Sequence, residues 1–236
     1  MKQQDSQLVS PRIKRYANTS FLELQEINRS PIHGYEDVPL QSLEEATERI
    51  IAFVPGLMDN VAKAKLNCNR DSTILTLDES AAIYLYTMPI PLYSTLNKAL
   101  RAENREELKP WLAFLKLFMY ALEKLPSNRT VVWRAISENI TSTLTKDRVH
   151  TWWSVNSCST NPNILRAYYG RENTIISIRT LHGKNISSLS AFPIECEVVL
   201  PPGTCIRVQS DPLIIDDQYF IIQLEEMAQL PQESAE

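Results

Sequence analysis

Glycine is scarce in this chain and nowhere clustered: there are five glycines in 236 residues, and no two lie close together. The nucleotide-binding turns of Rossmann dehydrogenases, P-loop enzymes and kinases need closely spaced glycines so that the backbone can approach phosphate. The sequence therefore argues against those classes. A nucleotide-binding protein without such a turn would most simply hold phosphate with arginine, whose planar guanidinium donates paired hydrogen bonds.

Three other kinds of signal are also missing. The formal net charge is -4, which argues against a nucleic-acid partner. The four cysteines form no CxxC pair and the three histidines lie far apart, so no metal site is predicted. No apolar run is long enough for a membrane helix, and the first ten residues are too polar for a signal peptide. We therefore expect a cytoplasmic protein with no membrane partner.

The chain changes character once along its length. Residues 1–40 are broken by proline and glycine and predict an extended arm, and residues 41–236 predict a single domain. Within this domain, helical patterns dominate over about 42–125 and strand patterns over about 130–224. Helices followed by strands, rather than alternating with them, predict an α+β fold.

Two capping boxes mark helix starts in the first half, Ser42 with Glu45 and Thr76 with Glu79. Apolar residues at helical spacing predict helices over 43–54, 57–66, 77–87, about 92–100 and 106–125. In the second half, runs rich in β-branched and aromatic residues predict strands over 130–136, 149–155, 174–179, 195–200, 204–208 and 219–224. A short helix is predicted to begin at Asn161-Pro162.

The segment Glu195-Cys196-Glu197 leads directly into an apolar run. In an extended strand its two carboxylates would share one face, roughly 6–7 Å apart. Like charges this close are costly, so the pair suggests a functional site. A solvated edge strand, where the repulsion is weak, remains the alternative.

Arg134 lies inside an apolar predicted strand. A buried arginine needs a partner, and this one could form a structural ion pair, with Glu138 or a distant carboxylate, or could clamp phosphate. Ser157-Cys158-Ser159-Thr160 follows a strand that carries two tryptophans. Its hydroxyls could simply form a turn, or one could fix the rotamer of a carboxylate.

Taken in order, Arg134, the Ser-x-Ser segment from Ser157 and the Glu-x-Glu segment ending at Glu197 resemble the Arg-Ser-Glu class of mono-ADP-ribosyltransferases. The similarity is greatest to the arginine-specific eukaryotic members and covers about residues 40–224. It rests also on the segments Leu77–Thr87, Leu96–Arg101, Val132–Arg134, Trp152–Ser159 and Ile186–Thr204. Ala135 stands where that family usually has glycine.

The resemblance implies a helical lobe followed by two packed sheets that form a cleft for NAD. It also implies cleavage of the bond between nicotinamide and ribose, with transfer of ADP-ribose to an exposed arginine of an acceptor protein. Glu197 would stabilise the oxocarbenium-like transition state and bind a ribose hydroxyl. Ser157 would orient Glu197, and Arg134 would hold the phosphates of NAD.

Further roles follow from the same resemblance. The backbone at Ala135 would receive the nicotinamide amide, Glu195 would bind the acceptor guanidinium and draw away its proton, and Phe192 would face the acceptor protein. A tyrosine at 168 or 169 would pack near the nicotinamide. NAD would be a substrate, and no metal is implied.

Three other functions remain open on the sequence alone. An NAD glycohydrolase would use water as the acceptor on the same scaffold. A catalytically silent module would use the cleft only to bind a nucleotide or a protein. A glycosidase could use the carboxylate pair, but it would leave Arg134 and the Ser-x-Ser segment unexplained.

Overall fold

A computed structural model describes residues 34–168, 173–215 and 219–228. Up to residue 33, the predicted arm lies outside the described residues. Among these residues, five α-helices come first and ten strands follow. The α+β fold with a helical lobe ahead of a β-rich part is therefore confirmed.

The first four α-helices begin where the sequence signals place them. Their bounds are α1 Leu43–Glu48, α2 Leu57–Asn67, α3 Leu77–Thr87, α4 Leu92–Arg101 and α5 Leu112–Lys124. Both capping boxes form: the side chain of Ser42 accepts from the amide of Glu45, and that of Thr76 accepts from the amide of Glu79. These bonds satisfy amides that have no partner inside the helix.

Two predicted helices are shorter than expected. The first ends at Glu48, and residues 51–53 form a separate 3₁₀ turn. The last begins at Leu112 after two 3₁₀ turns at 105–107 and 109–111. Pro110 explains the second case, because proline cannot donate a helical hydrogen bond and disfavours the α conformation in the residue before it.

The strands are β1 Ser127–Asn128, β2 Val131–Ile136, β3 Val149–Trp152, β4 Asn156–Ser159, β5 Thr174–Arg179, β6 Gly183–Asn185, β7 Glu197–Leu200, β8 Thr204–Val208, β9 Leu213–Ile215 and β10 Tyr219–Glu226. The predicted strands at β5 and β8 have the observed bounds. The short strands β1, β6 and β9 were not predicted, because two or three residues are too few to show an alternating pattern. The predicted strand over 149–155 is wrong at its end: β3 stops at Trp152, and Asn156–Ser159 form a separate strand, β4, that was not predicted.

The strands form one curled, mixed sheet in the order β1-β6-β7-β4-β2-β5-β10-β8-β3, with β9 paired to β10. The sheet consists of two sets of strands, β1-β6-β7-β4 and β2-β5-β10-β8-β3. The two sets meet where β4 pairs with β2, through the residue pair Ser159–Trp133. β10 and β5 run parallel, and the other pairings between described strands are antiparallel. This junction places β2 beside β4, and β4 beside β7.

Strand β7 is covered on both faces. Val199 belongs to the apolar core that the helices form, and its neighbour Val198 belongs to the core enclosed by the strands. On either side along the sheet, β7 pairs with β6 and β4. A strand held in all four directions is a rigid base for the residue at its start, Glu197.

Candidate active site

The two carboxylates of the Glu-x-Glu segment are buried, Glu197 with 0% and Glu195 with 3% of its surface exposed. Since β7 also lies inside the sheet, the alternative of a solvated edge strand is wrong. Burying a carboxylate is costly unless polar groups or a ligand compensate for the lost water. Two such groups at one point of the fold are therefore a strong pointer to a functional site.

The predicted strand over 195–200 is wrong at its start. Residues 193–195 form a 3₁₀ turn, and Cys196 adopts a left-handed conformation with φ 49° and ψ 47°. A left-handed residue turns the chain, so Glu195 and Glu197 do not alternate along one extended strand. Pro193 is the first residue of the 3₁₀ turn and favours that turn, because its fixed φ suits a helical start.

Ser159 on β4 holds the turn at residues 195–196 in place. Its hydroxyl donates a 2.7 Å hydrogen bond to the carbonyl of Glu195, and the amide of Thr160 donates one of 3.1 Å to the carbonyl of Cys196. In the β4–β7 register Ser159 stands directly opposite Glu197. One buried serine thus connects both halves of the Glu-x-Glu segment, which the sequence did not indicate.

Arg134 is 3% exposed, and its Nη1 donates a 3.0 Å hydrogen bond to the carbonyl of Ser157. This contact ties β2 to β4 next to their junction. Arg134, Ser157 and Glu197 therefore lie on three adjacent strands, β2, β4 and β7. The site residues named from the sequence therefore lie on neighbouring strands, and their roles stay predictions.

Cys158 lies on β4, between the strands that carry Arg134 and Glu197. Burial raises the pKa of its thiol to about 12, the positive charge of Arg134 opposes this rise, and the negative charge of Glu197 adds to it. The guanidinium and the carboxylate thus both act on one thiol in the middle strand. A protonated thiol there is consistent with a packing role for Cys158.

Ser157 also meets the helical lobe. Its hydroxyl lies 3.1 Å from that of Tyr86 on α3, inside the protein, and either group can donate. Opposite Ser157 in the β4–β7 pairing stands Val199. The orienting role of Ser157 on Glu197 stays a prediction.

Two further contacts hold the site to the helices. The hydroxyl of Thr87 accepts a 2.9 Å hydrogen bond from the amide of Ala191. The side chain of Asn97 bonds both the amide and the carbonyl of Val155, each at 3.0 Å. Thr87 and Asn97 lie in segments that carry the family resemblance, but their spacing gave no sign of a partner so far along the chain.

The remaining predicted residues are placed as follows. Ala135 is buried against Leu165 and Ile175, and it is not among the described residues with positive φ, so alanine is tolerated where the family usually has glycine. Phe192 is partly exposed at the start of the 3₁₀ turn. Tyr169 and the side chain of Tyr168 lie outside the described part of the chain.

Two further properties of the described residues concern metal binding and membrane-spanning helices. Across the described ranges, no group of three His, Cys, Asp or Glu side chains is arranged to hold a metal ion. Within the same residues, every helix is too short or too polar to cross a lipid bilayer.

Comparison with known families gives one match, which spans most of the chain. A family model described as NAD:arginine ADP-ribosyltransferase matches residues 42–231. This range contains every residue that the resemblance assigned to the site. No curated protein matches the chain.

Several solved structures of bacterial proteins share this fold. The type III effector XopAI of Xanthomonas axonopodis pv. citri has a TM-score of 0.61 at 22% identity, covering 89% of this chain and 100% of its own. The ADP-ribosyltransferase Vis of Vibrio splendidus, in complex with agmatine, has a TM-score of 0.55 at 19% identity, covering 82% and 90%. Exoenzyme S of Pseudomonas aeruginosa, in complex with human 14-3-3 protein beta and bound to carba-NAD, has a TM-score of 0.54 at 19% identity, covering 81% and 93%. At these identities the likeness establishes the fold.

Proposed function

Because the chain belongs to the NAD:arginine ADP-ribosyltransferase family, we propose that it transfers ADP-ribose from NAD to arginine side chains of acceptor proteins and releases nicotinamide. That the chain is an ADP-ribosyltransferase using NAD follows from its family. The choice of arginine rests on Glu195, a second carboxylate that is 3% exposed and separated from Glu197 by one residue. A carboxylate in such a position is a natural partner for a guanidinium, which it can bind through two parallel hydrogen bonds.

Glu197 acts on the donor. When the bond between ribose C1′ and the nicotinamide nitrogen breaks, its electron pair leaves with nicotinamide and positive charge develops on the ribose. The carboxylate of Glu197 stands beside this charge and accepts a hydrogen bond from a ribose hydroxyl. Because the charge grows only as the bond breaks, the carboxylate stabilises the transition state more than the bound substrate.

Glu195 acts on the acceptor. It binds the charged guanidinium of the incoming arginine and places one of its nitrogens near C1′. As this nitrogen bonds to C1′, its proton passes to Glu195, so the product guanidino group carries the ADP-ribose. Phe192, partly exposed at the head of the same turn, offers an aromatic surface to the acceptor protein.

The rest of NAD is held by the neighbouring strands. Arg134 binds the phosphates, and backbone groups at Ala135 receive the nicotinamide amide. Ser157 fixes the orientation of Glu197 from β4. Two bound ligands of relatives with this fold support the assignment: Vis holds agmatine, which carries a guanidinium as arginine does, and Exoenzyme S holds carba-NAD.

Labelled NAD incubated with agmatine tests the proposal. The wild-type protein should form ADP-ribosyl-agmatine and nicotinamide. Glu195→Gln keeps the shape of the side chain but removes its charge, and it should lose transfer by about a hundredfold while NAD hydrolysis stays within about threefold. Both products are quantified in the same reaction, so a general loss of NAD binding is recognised at once.

Two results would contradict the assignment. Hydrolysis of NAD by the wild type at the same rate with and without agmatine, and with no adduct, would instead identify a glycohydrolase. Undiminished transfer by Glu195→Gln would show that Glu195 does not handle the acceptor.

A further inference from the structure

The segment 191–195, which carries Phe192 and Glu195, is held at both ends by side chains outside it. At its first residue, the amide of Ala191 donates to the hydroxyl of Thr87 at 2.9 Å. At its last residue, the carbonyl of Glu195 accepts from the hydroxyl of Ser159 at 2.7 Å. One tie comes from the helical lobe and the other from β4, so the segment bridges the two parts of the protein.

The tie at Ala191 is transmitted to Glu195 by the backbone. The carbonyl of Phe192, the residue after Ala191, accepts a 3.0 Å hydrogen bond from the amide of Glu195. The 3₁₀ turn therefore starts two residues beyond the anchor, at Pro193, and ends on the carboxylate-bearing residue Glu195. Between the ties, the side chain of Ile194 is 76% exposed and adds little packing of its own to the turn.

Glu197 shares Ser159 with Glu195 and has further backbone contacts of its own. It pairs with Ser159 across the β4–β7 ladder, and its carbonyl accepts from the amide of Ile186 at 3.0 Å. None of these bonds involves α3. Removing the Thr87 hydroxyl, which accepts from the amide of Ala191, should therefore act first on the segment that carries Glu195.

We propose that Thr87 is a positioning residue for the acceptor step, which sets the place of Glu195 through Ala191 and leaves the donor step to Glu197. This inference rests on the proposed function, in which Glu195 handles the arginine. Thr87 suits the role because it is 0% exposed and its hydroxyl also donates to the carbonyl of Tyr84 at 2.7 Å. The donated proton leaves the oxygen lone pairs directed at Ala191 and fixes the rotamer.

The test compares Thr87→Val, which keeps the shape but removes the acceptor, with Thr87→Ser, which keeps the hydroxyl. For Thr87→Val we expect kcat/KM for agmatine to fall about tenfold, the factor that corresponds to one lost hydrogen bond. The KM for NAD and the rate of NAD hydrolysis should stay within about twofold of wild type. Thr87→Ser should behave as wild type in all three measurements.

Circular dichroism and the melting temperature show whether each variant is folded. If Thr87→Val does not fold, Thr87→Ala removes the same acceptor with a residue that favours helices, and it decides the question. Equal losses in transfer and hydrolysis, or no loss in either, would overturn the inference.

Glu195→Gln is measured beside these variants. It distinguishes a failure of the role proposed for Thr87 from a failure of the proposed function. Loss of transfer in Glu195→Gln together with wild-type transfer in Thr87→Val would overturn only the role of Thr87. Wild-type transfer in Glu195→Gln would overturn both that role and the proposed function.

Discussion

The hydroxyl of Tyr86 on α3 lies 3.1 Å from the hydroxyl of Ser157 on β4, in the buried contact between the helical lobe and the β-rich part. The same serine offers its carbonyl to Arg134. Tyr86 therefore supports a residue whose neighbours are the proposed phosphate clamp on one side and, through the pairing of β4 and β7, the strand of Glu197 on the other.

Tyr86→Phe should slow both reactions together. The change removes one hydroxyl, costs about 1 kcal/mol of stability and loosens the side chain of Ser157. Because Ser157 serves the donor half of the site, we expect transfer to agmatine and NAD hydrolysis to fall by the same factor. Initial rates of both reactions check this.

Tyr84→Phe on the same helix is the matched control for Tyr86→Phe, because Tyr84 is partly exposed. It should leave both rates unchanged. A fall confined to transfer in Tyr86→Phe would contradict the support of Ser157 and would place Tyr86 with Thr87 instead.

Glu197→Gln should abolish both transfer and NAD hydrolysis. Both reactions pass through the same positively charged ribose, and the amide lacks the negative charge that stabilises it. We expect a loss of about a thousandfold in kcat, with the dissociation constant for NAD changed by less than about threefold. Rapid-quench rates and a binding titration separate the two quantities, and retained hydrolysis would disprove the role.

Arg134→Lys should weaken NAD binding. An ammonium group cannot reproduce the two parallel hydrogen bonds that a guanidinium makes to phosphate, and lysine cannot keep the planar contact with the carbonyl of Ser157. We expect the dissociation constant for NAD to rise about tenfold or more. The exposed Arg129 provides the control, since Arg129→Lys should bind NAD as wild type does.

Glu226, at the end of β10, predicts a pH-dependent stability. Its burial opposes ionisation, but the amides of His182 and Leu181 and the hydroxyl of Thr180 all donate to its carboxylate and hold its pKa below the usual 4.5. A lowered pKa in the folded state means stability that is present above pH 4.5 and is lost as the pH falls through the folded value. Glu226→Gln should therefore cost about 2 kcal/mol at pH 7 and progressively less below pH 4.5.

The melting temperature at pH 7 and at lower pH measures this effect. Glu225→Gln is the control, because the neighbouring Glu225 pairs with Arg207 at the surface, where such a pair contributes little. A constant difference between wild type and Glu226→Gln over the whole range would contradict the assignment to ionisation.

Local signals in the sequence predicted much of this molecule. Each capping box involves residues three apart, so the starts of α1 and α3 can be recognised without knowing the fold. The buried Arg134 stood out because its strand is otherwise apolar. The Glu-x-Glu segment stood out because two carboxylates precede an apolar run.

The features that the sequence did not predict depend on contacts between residues far apart along the chain. Ser159 and Glu195 are 36 positions apart, and Thr87 and Ala191 are 104 apart, so no local pattern joins them. The conformation of Cys196 was missed for another reason. Strand propensity describes extended residues, and a single left-handed residue that tertiary hydrogen bonds hold in place gives no such signal.

The junction of β2 with β4 gives the site a mechanical property. Arg134 lies on one side of the paired residues Trp133 and Ser159, and Glu197 lies on the other. The spacing between the cationic and anionic groups therefore depends on this pair and on the hydrogen bond from Arg134 to the carbonyl of Ser157. A substitution that disturbs the junction should change this spacing while leaving the ladders within each set of strands intact.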